Sequence, residues 1–261
     1  MSKLVCVDFG HKGKLLGQDC GAVGNGLYES DLTEIIGEGI VKELSNYEVD
    51  IRIAPRGTLN DRTNYANSIK ADYFLSTHIN ASINTSTATG FESFIHNNAS
   101  QKSLDIQNIL HAEIMKYMKQ YNVFDRGKKR ANFAVLRNSN MSACLIECLF
   151  ISNVNDAKLL KDDKFLEGLA ISVANGMVLG LGLKKKIVDK KVENNNNNKE
   201  ELIDMAIEKW MKDAGITSLD SLVKNGIIND GNLWSNKMDE KTENWLLFTM
   251  MARLLEKINN K

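Results

Sequence analysis

Two histidines and two glutamates stand where a folded chain could bring them together. His11 follows the apolar run Leu4-Val5-Cys6-Val7, and His78 follows Tyr73-Phe74-Leu75-Ser76-Thr77. Glu147 lies inside Cys144-Leu145-Ile146-Glu147-Cys148-Leu149, and Glu29 opens a stretch with helical spacing. A carboxylate inside an apolar strand is costly unless it is paired or bound to a cation. Two imidazoles and one carboxylate suit a catalytic zinc site, with three protein ligands and an open fourth position for water. A further, non-ligating Glu can then take a proton from that water. Position alone leaves plainer readings open. A lone His at a strand end usually makes a hydrogen bond, and Glu147 can pair with Arg126 or Arg137.

The elements that must position these residues alternate along the chain. Residues 4–7, 49–54, 73–77, 91–95 and 143–149 read as strands. Residues 28–44, 60–69, 103–121 and 156–178 read as helices, the first with Leu32, Ile35, Ile36, Ile40 and Val41 on one face. Such alternation predicts an α/β fold with a mainly parallel twisted sheet flanked by helices. Ligands of such sheets sit beyond the carboxyl ends of the strands. His111, inside the third helix, is expected to be exposed. Cys144 and Cys148 fall on the strand face opposite Glu147 and are expected to be buried structural thiols.

The chain has 261 residues, 43% hydrophobic and 25% charged, enough to bury a substantial core. Its 33 Lys and Arg balance 33 Asp and Glu. That balance argues against a partner bound mainly by charge, so no nucleic acid is expected. No membrane span and no signal peptide are expected. Four cysteines do not suggest a disulfide framework. Gly24-Asn25-Gly26 does not continue as a dinucleotide loop, because Glu29 stands where the third Gly belongs. A five-Asn run flanked by Lys and Glu predicts a linker over 184–199. The expected domains are therefore 1–183, carrying the four candidate residues, and 200–261, a small all-α domain. All three Trp fall in the second.

Several blocks in order and spacing resemble one family. They are Asp8-Phe9-Gly10-His11-Lys12-Gly13, Gly24-Asn25-Gly26-Leu27-Tyr28-Glu29, Asp61-Arg62, Ser76-Thr77-His78-Ile79-Asn80-Ala81, Gly90-Phe91-Glu92, and Glu147 followed by Phe150-Ile151-Ser152-Asn153. Over residues 3–180 the chain resembles zinc-dependent N-acetylmuramoyl-L-alanine amidases of the Amidase_3 type. The resemblance implies one Zn2+ held by His11, Glu29 and His78, with Glu147 as the catalytic carboxylate. It implies peptidoglycan as substrate, cut between N-acetylmuramic acid and L-alanine. Asn80, Glu92 and Arg137 are candidates for substrate contact or for support of the site. Departures from the family pattern are Lys12, Ser142 and Cys148-Leu149. Leu149, where the family often has Gly, is expected to affect how closely backbone approaches substrate.

The expected role is a phage endolysin of clostridial type, made in the host cytoplasm and acting on the cell wall after release. The alternatives are a bacterial autolysin or sporulation amidase, and an inactive wall-binding protein. Residues 200–261 are expected to bind a cell-wall ligand or to self-associate. Lys199-Glu200-Glu201 ahead of Met205 can be encoded by a purine-rich stretch resembling a ribosome-binding site, which would allow a second translation start at Met205.

Overall fold

The computed structural model describes residues 2–13, 19–83 and 87–186, together with Lys224. Apart from Lys224, these lie in the first of two units into which the chain divides, Met1–Ile187 and Val188–Lys261. The expectations for the linker, the C-terminal domain and Met205 fall outside the described residues.

The strands are β1 (Lys3–Phe9), β2 (Val23–Gly24), β3 (Leu27–Tyr28), β4 (Val49–Ile53), β5 (Tyr73–Asn80), β6 (Phe91–Ile95), β7 (Asp125–Arg130) and β8 (Ser142–Phe150). The helices are α1 (Glu29–Leu44), α2 (Leu59–Ser68), α3 (Gln101–Met118), α4 (Ala134–Arg137), α5 (Val154–Leu160) and α6 (Asp163–Leu181). Six strands form one sheet in the order β4-β1-β5-β8-β6-β7, and β2 and β3 form a small hairpin. The sheet is parallel except where β6 runs against β8. The α/β expectation holds for the described residues.

Side-chain alternation divides the sheet between two cores. Val5, Val7, Leu75, Cys144, Ile146 and Cys148 join the larger core, with α1, α3 and α6. Cys6, Phe74, Ala143 and Leu145 face the other way, into the smaller one. Burial on both faces explains why these strands read as continuous apolar runs. Cys144 and Cys148 are fully buried as expected, and burial pushes the Cys144 thiol up to about 12.

Three local expectations need correction. Ile35 is 49% exposed, because it lies about 100° round the helix from Ile36 and off the 32/36/40 stripe. The helix expected over 156–178 is two helices, because Asp162 accepts from Lys164 N (2.9 Å) and Phe165 N (3.4 Å) and starts α6 afresh. His111 is buried, its Nδ1 bonded to Ser93 Oγ (2.8 Å) and its Nε2 to Asp125 Oδ1 (2.9 Å). Burial, the largest influence on its basicity, lowers it and favours the neutral ring despite Asp125. Among the described residues, α6 is long and apolar enough to cross a membrane by length and composition alone. It instead buries Phe165, Leu169, Val173 and Met177 in the core.

A buried ion pair anchors the strand that leads to His11. Arg62 is 2% exposed and Asp8 1%. Arg62 Nη1 lies 3.4 Å from Asp8 Oδ1, Arg62 Nε donates to Gly57 O at 3.2 Å, and Ser76 Oγ donates to Asp8 Oδ2 at 2.7 Å. These bonds join α2, β1 and β5 just below the site. Arg62→Ala leaves Asp8 charged and buried, so it is expected to cost about 3–5 kcal/mol of stability. Urea unfolding of the variant measures this; a loss under ~1 kcal/mol would show that the pair does not anchor the strand.

Candidate active site

His11, Glu29 and His78 come from three separate elements. His11 lies just past β1 in left-handed backbone (φ 67°). Asp19 Oδ1 holds its Nδ1 at 2.8 Å, and Gly21 N donates to the same oxygen at 3.2 Å. The Nε2 of His11 is thereby aimed at Glu29. Glu29 is the first residue of α1 and is 4% exposed. Its Oε2 accepts from Ala22 N (2.8 Å) and its Oε1 from Ile79 N (3.0 Å). His78 lies in β5, which runs three residues further than predicted, to Asn80.

The three side chains converge. His11 Nε2 is 3.0 Å from Glu29 Oε2, and His78 Nδ1 is 2.9 Å from Glu29 Oε1. One ligand atom from each lies within 4.8 Å of the others. Ligands 2.0–2.1 Å from one tetrahedral ion would stand about 3.3 Å apart. Burial raises the Glu29 carboxyl, but hydrogen bonds from both imidazoles outweigh it and hold the group well below the usual carboxylate range. Burial likewise lowers both histidines, yet their carboxylate partners leave them raised. A field that holds protons on two imidazoles also favours a cation between them. The backbone closes tightly around this cluster. A Cβ on Gly21 would stand 2.5 Å from both Glu29 Oε2 and His11 Cδ2, and one on Gly10 would stand 2.8 Å from His78 Cε1. Two imidazole nitrogens and a carboxylate fit zinc better than an all-oxygen ion such as Mg2+.

Glu147 faces this cluster from the neighbouring strand. It pairs in register with His78 on β5 and with Glu92 on the antiparallel β6. Its Oε2 is buried and has no hydrogen-bond partner among the described residues. Burial, the largest influence, raises its carboxyl to about 7; His78 opposes the shift, and Glu29 and Glu92 add to it. Neither arginine considered as its partner is one. Arg126 Nε donates to Glu92 Oε2 at 3.0 Å, and Arg137 Nη1 donates to Asn132 O at 3.0 Å.

The other candidates separate. Asn80 lines the same cavity, of about 360 Å³, as Glu147 and the three convergent side chains. Its Nδ2 donates to Glu92 Oε1 at 2.6 Å. Glu92 is buried behind it, also accepting from Arg126 and Lys129. Arg137 lines a different depression, with Lys102 and Ser142, and so does not share the cavity. Leu149 is fully buried in the core at φ 73°. It occupies a backbone conformation that suits Gly, and its side chain lies in the larger core and not on the cavity wall. Sequence reasoning missed Asp19, whose carboxylate orients His11. It also missed Leu59 and Phe133 on the cavity wall.

The comparisons with known proteins agree with this geometry. A family model described as N-acetylmuramoyl-L-alanine amidase matches residues 5–178. An endolysin of Bacillus phage SPP1 is 42% identical over 193 residues, covering 71% of this chain and 69% of that protein. A sporulation-specific N-acetylmuramoyl-L-alanine amidase of Bacillus subtilis is 41% identical over 187 residues, 69% of each chain. The crystal structure of an N-acetylmuramoyl-L-alanine amidase from Clostridium difficile 630 superposes with a TM-score of 0.65. It is 32% identical and covers 69% of this chain and 97% of that one.

Proposed function

The chain belongs to the N-acetylmuramoyl-L-alanine amidase family and is a peptidoglycan amidase, and from that premise we propose that it works with one zinc ion and serves as a phage endolysin. The observation that carries the chemistry is Glu147: a buried carboxyl oxygen without a partner among the described residues, facing two imidazoles and a carboxylate that converge. His11 Nε2, Glu29 and His78 Nδ1 would hold the ion. Zinc there supplies Lewis acidity, which makes water a better nucleophile at neutral pH and stabilises charge on the scissile carbonyl oxygen.

The chain's own residues do the rest. Glu147 takes the proton that the attacking water gives up and passes it to the departing alanine nitrogen. Its raised proton affinity suits both halves of that task near neutral pH. Asp19 fixes the His11 ring and keeps Nε2 free to bind the ion. Asn80, tethered by Glu92, presents its amide at the cavity edge and can orient the peptide. Asp19→Asn is expected to weaken zinc binding about 10–100-fold. Competition with a chromogenic chelator measures this, and unchanged affinity would remove Asp19 from the site.

The endolysin role rests on the similarity to the SPP1 protein. Made in a susceptible cell, the chain is expected to leave cells intact until the membrane is permeabilised, and then to lyse them. Lysis without permeabilisation would contradict release from the cytoplasm. The near-equal identity to the sporulation enzyme favours one second reading, a bacterial sporulation amidase. That reading predicts preferential digestion of spore-type over vegetative wall.

A further inference from the structure

Leu59 and Phe133 are large apolar side chains left 49% and 40% exposed. Single exposed apolar residues are ordinary. These two line the cavity that holds Glu147 and the convergent histidines. That cavity therefore has a polar floor and an apolar wall, which Ala134, Val135 and Leu145 continue.

The wall is held rigidly. Leu59 is the first residue of α2, and the reciprocal Thr58–Asp61 capping box fixes that end. The Phe133 carbonyl accepts from Leu136 N (3.1 Å) and Arg137 N (2.8 Å), and its ring rests on Phe94 with centroids 5.1 Å apart. Three hydrogen bonds tie α2 to the α4 segment. Asn67 Nδ2 donates to Asn138 O (2.8 Å), Asn138 Nδ2 to Asn60 Oδ1 (3.3 Å), and Asn140 N to Asn67 Oδ1 (2.9 Å). Leu59 and Phe133 thus move as one surface, which is what a selective subsite needs.

We propose that Leu59 and Phe133 form a subsite for the short aliphatic side chain of the amino acid whose nitrogen is released. The proposal rests on the amidase reading. Glu147 must reach that nitrogen to protonate it, so the side chain, which begins two bonds away, lies inside the same cavity. A methyl group there gains apolar contact. A hydrogen leaves a gap, and a hydroxymethyl group gives up its water without a polar partner on this wall.

The test uses the zinc-loaded full chain and three N-acetylmuramoyl peptides that differ only in the first residue: L-alanine, glycine or L-serine. Wild type is expected to favour alanine over glycine by about tenfold in kcat/KM, the low end of what one methyl group is worth. Leu59→Ala and Phe133→Ala should each bring that ratio toward 1, mainly by raising KM for the alanine substrate. Phe133→Leu should retain most of the preference. Because the readout is a ratio within one variant, partial misfolding cannot imitate it. Equal losses on alanine and glycine substrates, or a wild type that does not discriminate, would overturn the subsite. A wild type that cleaves none of the three would overturn the amidase reading, and the subsite with it.

Discussion

Glu147→Gln is expected to abolish most of the activity and to leave zinc binding intact: kcat should fall by about 10²–10⁴, the range associated with losing a general acid–base. The substitution keeps shape and removes proton transfer. Glu147 contributes nothing to the ligand cluster, so elemental analysis should still find one zinc per chain. Stability should move the opposite way. A buried oxygen with no partner among the described residues is a liability to the fold, and replacing the carboxylate should gain about 1–3 kcal/mol. The sign of the pH dependence follows from the raised carboxyl, at about 7 against an ordinary 4.5. A folded-state acid that holds its proton more tightly loses stability as pH rises through that interval. In metal-free protein the advantage of Glu147→Gln should therefore be small below about pH 4.5 and grow to its full size above about 7. A structural carboxylate would show the reverse, with Gln destabilising at high pH. Near wild-type turnover by Glu147→Gln would remove the residue from the mechanism.

His78→Ala is expected to lose zinc and activity together. It removes one of three convergent ligand atoms and leaves only His11 Nε2 and Glu29 Oε2, 3.0 Å apart. Without the ion, water keeps a pKa near 16 in place of about 7, so turnover should fall on the order of 10⁴-fold or more. The fold should survive, because His78 is near the carboxyl end of β5 and its ring belongs to neither apolar core. Elemental analysis, far-ultraviolet circular dichroism and turnover on the same preparation separate the outcomes. A folded His78→Ala that retains stoichiometric zinc would mean that another group completes the site.

The sequence was most legible where burial is two-sided. β1, β5 and β8 show as apolar runs because both faces are covered, and Glu147 was conspicuous for interrupting one of them. β7 escaped notice because it is an edge strand written Asp-Arg-Gly-Lys-Lys-Arg, with no apolar run; Arg126 and Lys129 reach inward to Glu92, and among the described residues its backbone pairs with β6 alone. His111 was misjudged for a related reason. It continues a buried stripe through Gln107 and Met115, and its burial depends on Ser93 and Asp125, which lie far along the chain.

The site divides the same way. His11, Glu29, His78 and Glu147 announced themselves by type and strand position, and the resemblance assigned them roles. Asp19 did not, because only the folded loop returns its carboxylate to His11 Nδ1. Arg137 looked suitable by charge, but its guanidinium is spent on Asn132 outside the cavity. Leu59 and Phe133 carry no chemical signal in the sequence. Their meaning lies in being left exposed beside a buried carboxylate.

The central claim is that this cavity hydrolyses one amide bond with zinc. Digestion of purified peptidoglycan, analysed by mass spectrometry with chelator, without it, and after zinc is restored, tests that most directly. The expected products are free stem peptides beginning at L-alanine and intact glycan strands, lost on chelation and recovered with zinc. Cut glycan, cleaved cross-links, or the same products undiminished by a chelator that strips the protein of metal would contradict it.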